Sequence, residues 1–251
     1  MSAPLFFADA NSDVGALAAL SAGGTFVLGG AEGRHAATVR RVAVGERVDV
    51  ADGVGLVARC VVLAAAGDAV RLSVLSVAAV PLPSPRFVLV QALAKGGRDE
   101  LAVETATELG VDEVVPWQAA RSVVQWRGAR GEKARAGWVS SARAAAKQSR
   151  RPRVPVVSAL AGGADVRARV SLAALAVVLH EEASSPLAGV QLPSAGEVLV
   201  IVGPEGGISP DELAAFTGAG ALACGLGPWV LRSSSAGPAA LAVLSAAARW
   251  R

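Results

Sequence analysis

A chain of 251 residues that is 53% hydrophobic and 18% charged can bury a sizeable core, as one large domain or two small ones, and is too apolar to be disordered. No apolar run is long enough to span a membrane, and the start "MSAPLFFADANSD" has no basic region of the kind that opens a secretory signal, so a cytoplasmic protein is expected. Cys60 and Cys224 lie in separate apolar segments without metal-ligand spacing; they read as small buried side chains, and no metal site is expected.

Residues 1–80 have a β texture. "ERVDVADGVGLVARCVVL" (46–63) reads as a hairpin turning at Asp52-Gly53, with Val48 and Val50 alternating against polar neighbours, and "AVRLSVLSV" (69–77) reads as another strand. A small barrel or sandwich follows from that pattern. "VPLPSPR" (80–86) places three prolines close together and reads as a linker.

Over 81–251 strands alternate with helices, the signature of a mainly parallel sheet and hence of an α/β domain. Strands are expected at 87–93, 111–117, 175–180, 197–202 and 221–227, and helices at 98–109, 132–151 and 234–250. A further helix opens at "SPDELAAFT", with Ser209 as N-cap, Pro210 in the first turn and Glu212 completing a capping box.

Ligands of such sheets sit at the carboxyl ends of strands. Three strand ends stand out here: Gly203 to Gly207, Gly225 to Pro228, and His180-Glu181-Glu182. A phosphate cradle would carry a lysine and no acid, yet the first loop holds Glu205 and no Gly-Lys-Ser/Thr is present. The absence of GxGxxG with a downstream acid also disfavours a dinucleotide-binding oxidoreductase. An uncharged or cationic ligand gripped by backbone groups fits better.

Charge is unevenly distributed. From Arg121 to Arg153 ten basic residues face one acid, Glu132, so that window carries +9 and the remainder of the chain −6. Arginine supplies 21 of the 24 cations, and its planar fork suits phosphate. A polyanionic partner is indicated. On a helical wheel over 132–151, Arg143, Lys147, Arg150 and Arg151 share one face, opposite Trp138, Ala142 and Ala145. With 4% aromatic residues and no tyrosine, an aromatic stacking platform is not the obvious mode of nucleic-acid binding.

"VGPEGGISPDEL" (202–213) followed by "LGPWVLRSSSA" (226–236) resembles the last two motifs of the SPOUT methyltransferases, and more narrowly the family that methylates N3 of a uridine in bacterial small-subunit ribosomal RNA. "QALAKGGRDELAVETATELGV" (91–111), "ARSVV" (120–124), "AAAKQSRRPRVP" (144–155) and "HAATVRR" (35–41) extend the similarity over nearly the whole chain. The resemblance implies a PUA-like β-barrel at the N-terminus that helps bind RNA, a C-terminal α/β domain tied in a trefoil knot, a homodimer, and S-adenosylmethionine as cofactor. Carried over, the cofactor pocket involves Leu179, His180, Gly203, Pro204, Glu205, Gly206, Gly207, Leu226, Gly227, Leu231, Arg232 and Ser233. Arg232 is also the candidate catalytic residue, stabilising charge or placing the base. Glu205 could face the cofactor, the RNA or only its own loop. The RNA-binding set comprises Arg34, His35, Arg40, Arg41, Lys95, Arg98, Arg121, Arg143, Lys147, Gln148, Arg150 and Arg151. One departure matters: many family members carry Thr-Glu-Thr where this chain has Ser233-Ser234-Ser235, so a carboxylate at 234 takes no part here. That departure keeps open a second class, a non-catalytic knotted ribosome-assembly factor.

Overall fold

A computed structural model of the chain describes residues 3–8, 17 and 19–250. It divides into two compact units, Met1–Leu82 with Ala146–Val154, and Pro83–Ala145 with Pro155–Arg251. The segment 146–154 therefore packs with the first unit.

The first unit is a five-stranded sheet of β1 (Leu5–Phe7), β2 (Thr25–Leu28), β3 (Arg47–Ala51), β4 (Leu56–Ala66) and β5 (Ala69–Ala79), in the order β1-β3-β4-β5-β2. β1 runs parallel to β3, and the other pairs are antiparallel. The expected hairpin turns at Asp52, whose Oδ1 accepts the N–H groups of Val54, Gly55 and Leu56 and so closes the turn. β4 and β5 are long, and their pairing slips twice, between Arg59 and Cys60 and between Val62 and Ala64. Such bulges bend a sheet; here it wraps a core that includes Phe6, Phe26, Leu28, Val48, Val62 and Leu72. Cys60 is in that core; burial, helped by the charge of Asp49, pushes its thiol up to about 12, so it stays protonated. Between β2 and β3 run α1 (Gly30–Arg34) and one π-helical turn, His35–Val39, neither apparent in the sequence pattern.

The second unit is a six-stranded, wholly parallel sheet: β6 (Arg86–Ala92), β7 (Glu113–Trp117), β8 (Val156–Val157), β9 (Leu175–Leu179), β10 (Glu197–Val202) and β11 (Leu222–Cys224), ordered β11-β9-β10-β6-β7-β8. The connecting helices are α2 (Arg98–Glu108), α3 (Gly128–Gln148), α4 (Gly163–Leu172), α5 (Pro210–Gly218) and α6 (Ser233–Ala248). Val198 to Val202 of β10 are buried, as expected of a strand covered on both faces. α6 lies close on β6 and β10 at Gly237: a Cβ there would come within 2.8 Å of Leu89 and 3.4 Å of Val202. The capping box of α5 forms as expected, with Ser209 Oγ accepting from the Glu212 N–H and Glu212 Oε2 accepting from the Ser209 N–H.

The basic helix differs from its sequence reading. α3 begins at Gly128, earlier than expected, and ends at Gln148. Arg150 takes a left-handed φ of 59°; its N–H bonds Lys147 O and the Arg151 N–H bonds Ala146 O, the two bonds that end a helix in a Schellman turn. Glycine usually occupies that position, and an arginine there hides the stop. Arg150 and Arg151 thus lie beyond the helix and do not continue the face of Arg143 and Lys147. Trp138, Ala142 and Ala145 are buried, as the wheel requires.

At the amino ends of the central strands lies a nearly buried charge cluster. Glu113, its side chain 10% exposed, accepts from Arg169 on both oxygens at 2.6 and 2.7 Å, from Arg86 at 3.0 Å and from Ser158 Oγ at 2.6 Å. Glu197 pairs with the same two arginines. Burial alone would raise the Glu113 carboxyl, but the bonds from Arg169 and Ser158 and the charges of Arg169 and Arg86 outweigh it and hold it at about 2.

The sign of the resulting pH dependence is fixed by that depression. The stabilisation is complete above the unfolded value of 4.5 and is lost as pH falls towards 2. Glu113→Gln should therefore destabilise the protein by about 2 kcal/mol at neutral pH. In denaturant melts the gap between variant and parent should close between those two pH values; a gap independent of pH would contradict the account.

Candidate active site at three strand ends

β11, β9 and β10 are neighbours and parallel, so their carboxyl ends emerge side by side, with Cys224 opposite Leu179 and Ile201 opposite Val178. Backbone bonds tie the first two loops together. The His180 N–H bonds Cys224 O at 3.1 Å, the Gly225 N–H bonds Ser185 O at 2.9 Å and the Leu187 N–H bonds Gly225 O at 3.0 Å. The β10 loop turns back on itself, the Gly207 N–H bonding Pro204 O at 2.9 Å. At Gly203 a Cβ would stand 2.7 Å from Ile208 Cγ1, so a side chain there would force the loop to shift.

These loops enclose two cavities that share Leu179, His180, Glu181 and Leu231 among their walls. One, of about 100 Å³, is lined by the loop from Gly225 to Leu231, which includes Leu226 and Gly227. The other, of about 300 Å³, is lined by Gly203, Pro204, Glu205, Gly207, Arg232 and Ser233. Every sequence-predicted cofactor residue but one lines them. The exception is Gly206, whose Cβ direction meets Arg121 at 3.2 Å and whose carbonyl accepts from Arg121 Nη1 at 3.1 Å; it faces the neighbouring loop.

Glu205 is occupied. Its Oε1 accepts from the Lys95 N–H at 3.0 Å and pairs with Arg98 Nη1 at 3.2 Å, fastening the β10 loop to the loop after β6. On the other side the Ala120 N–H donates to Glu212 Oε1 at 2.8 Å, so the loop after β7 is fastened to the same turn. The carboxylate among glycines therefore holds loops in place. His180 Nδ1 accepts from the Glu182 N–H at 3.2 Å, which fixes its ring. Burial raises the Cys224 thiol, which makes it a poor nucleophile. Arg232 is exposed, and among the described residues no ion pair is formed by it. Glu181, noted in the sequence at its strand end, and the exposed pair Trp229 and Val230 also share these walls but are absent from the cofactor set carried over by resemblance.

Within the first unit, His35, Arg40, Lys147, Gln148 and Arg150 surround a cavity of about 230 Å³ beside Phe6. Lys147 is partly committed: its Nζ lies 2.7 Å from Glu32 Oε2 and 5.2 Å from the centre of the Phe6 ring. Arg34 and Arg41 are exposed on the same unit, Arg41 with a left-handed φ of 53°. The basic window is less available than its charge suggests. Arg135 donates to the carbonyls of Val157 and Ser158, Arg153 to those of Val54 and Val80, and Arg121 to that of Gly206. Arg143 and Arg151 are half-buried.

Comparison with known proteins places this geometry. Residues 81–245 match the family model described as RNA methyltransferase domain, and residues 28–75 the one described as RNA methyltransferase PUA domain. The chain is 46% identical, over its whole length and 94% of the relative, to the ribosomal RNA small subunit methyltransferase E of Mycobacterium bovis. It is 31% identical to the protein of the same name from Bacillus subtilis, over 88% of this chain and 90% of that one. The crystal structure of a ribosomal RNA small subunit methyltransferase E from Neisseria gonorrhoeae bound to S-adenosyl methionine is 25% identical and superposes with a TM-score of 0.81, covering 98% of both chains. A sheet-end cavity walled by two glycine loops and an arginine, beneath a match that takes in most of the chain, leads to one assignment: this chain belongs to the RNA methyltransferase family with an N-terminal PUA domain.

Proposed function

We propose that the protein transfers a methyl group from S-adenosylmethionine to N3 of a uridine in small-subunit ribosomal RNA, as a cytoplasmic homodimer whose second unit is knotted. The observation that carries the catalytic reading is the convergence of three strand-end loops on one pair of cavities, the larger of which is lined by Arg232, a residue without an ion pair among the described residues.

The residues present fit this cofactor. Leu179, Leu226 and Leu231 offer apolar walls for an adenine, and the glycine loops expose backbone groups that can read its polar edge. Glu181 adds negative charge that suits a sulfonium and an ammonium and would repel a phosphate. When bound, the cofactor supplies an electrophilic methyl group. Glu205, held by Lys95 and Arg98, keeps the floor of the site in register, and Arg232 supplies positive charge where a uracil gives up its imide proton. Arg34, His35, Arg40 and Arg41, with Lys147, Gln148, Arg150 and Arg151, are assigned to RNA phosphates on the first unit. Lys95, Arg98, Arg121 and Arg143 are assigned the same role on the second. The assembly-factor reading has no use for the open cavities at the strand ends.

Small subunits from a strain lacking the gene, incubated with the protein and S-adenosylmethionine, should gain one methyl group that nucleoside mass spectrometry identifies as N3-methyluridine. A methyl on another atom, or none, would overturn the assignment. Gly203→Ala forces a Cβ against Ile208 and should weaken S-adenosylmethionine binding about tenfold or more in calorimetry, with the circular dichroism unchanged. Equal affinity would remove the β10 loop from the site. Converting Arg34 and Arg41 to glutamine should lower RNA affinity and flatten its dependence on log salt by roughly 0.7 to 0.9 for each phosphate no longer neutralised, leaving cofactor affinity alone. An unchanged slope would mean that these arginines are merely solvated.

A further inference from the structure

The amino end of α6 opens onto the larger cavity and has no side-chain cap. Arg232 is the N-cap residue but its side chain makes no capping bond, and the first turn contains no acid. The N–H groups of Ser235 and Ala236 both bond Arg232 O, and among the described residues no acceptor serves the N–H groups of Ser233 and Ser234. Ser233 lines the cavity at 8% exposure, and among the described residues its buried Oγ has no hydrogen-bond partner. A buried hydroxyl left unpaired costs stability, and so does a helix start without a cap. Both costs fall on one spot, and Arg232, the residue before it, lines the same cavity. The helix itself adds about half a positive charge at that end.

We propose that the amino end of α6, the Ser233 hydroxyl and the Arg232 side chain together form an oxyanion site that binds a carbonyl oxygen of the target uracil beside N3. This rests on the uridine-N3 reading above. N3 of a uracil is a poor nucleophile while it carries its proton, and the negative charge left by deprotonation spreads onto the two flanking carbonyl oxygens. Donors aimed at one of those oxygens favour loss of the proton, which passes to water. The N3 electron pair then bonds the methyl carbon as the carbon–sulfur bond breaks, its electrons staying on sulfur as a neutral thioether. No carboxylate at position 234 is required, because the site acts by stabilising the anion and not by taking the proton. The charged and titratable groups around the cavity are Arg98, His180, Glu181, Glu205 and Arg232; Glu205 is paired with Arg98 and His180 Nδ1 accepts a backbone N–H.

The test compares Ser233→Ala and Ser233→Thr on small subunits from the deletion strain, with S-adenosylmethionine affinity measured separately by calorimetry. Ser233→Ala should lower kcat at neutral pH on the order of a hundredfold. It should also move the rise of rate with pH to a higher pH, while cofactor affinity stays as in the parent. Ser233→Thr, which keeps a hydroxyl, should recover most of the rate and the original pH profile. Loss of cofactor affinity in step with rate would overturn the proposal by assigning the hydroxyl to the cofactor's own carboxylate. So would a Ser233→Ala enzyme with parental rate and profile. A parent enzyme that methylates an atom other than N3 would overturn the uridine-N3 reading, and with it the need for an anion site.

Discussion

The site depends on β10 being hydrogen-bonded along both edges, to β6 from Glu197 to Val202 and to β9 from Val198 to Ile201. A strand in that position must be parallel to both neighbours and apolar on both faces, and "VLVIV" meets the second demand without a polar residue. Because β11 pairs with the far edge of β9, the chain delivers three carboxyl ends to one place. Everything assigned to chemistry hangs on those ends. The amino ends of β6, β7 and β10 are joined by Arg86, Glu113, Arg169 and Glu197, a cluster remote in function from the cavities.

Loop geometry is set by a small number of polar contacts and close approaches. Glu205 joins the β10 loop to the β6 loop, Glu212 joins it to the β7 loop, and Gly203 lets Ile208 close beneath it. Gly237 does the same for α6, bringing its amino end over the strand ends. Small residues and carboxylates thus build the frame. The side chains left over, those of Arg232 and Ser233, have no hydrogen-bond or ion-pair partner among the described residues. An unpaired buried hydroxyl in a well-satisfied fold is informative for that reason.

Much of this is legible in the sequence. Apolar runs and turn residues locate β6, β7, β9, β10 and β11, and the capping box of α5 can be read residue by residue. β1 escapes because three residues carry no periodicity, and the π-turn at His35–Val39 because no side-chain pattern specifies it. α4 (Gly163–Leu172) is short, with only Val166 and Val170 buried. The end of α3 is hidden for a chemical reason: an arginine, Arg150, holds the left-handed position that a glycine would have announced. At the site, residue types point to the right loops but not to directions. Gly206 turns towards Arg121, and Glu205 spends its charge on Lys95 and Arg98, facts of three-dimensional placement that no spacing encodes.

The central claim is that the three strand ends form one ligand site in the second unit. Hydrogen exchange followed with and without S-adenosylmethionine tests it directly, since bound ligand slows exchange where it closes the backbone. The account predicts protection at 179–183, 203–208 and 225–236 together, with the sheet of the first unit unchanged. Protection confined to one of these loops, or appearing in the first unit instead, would contradict it.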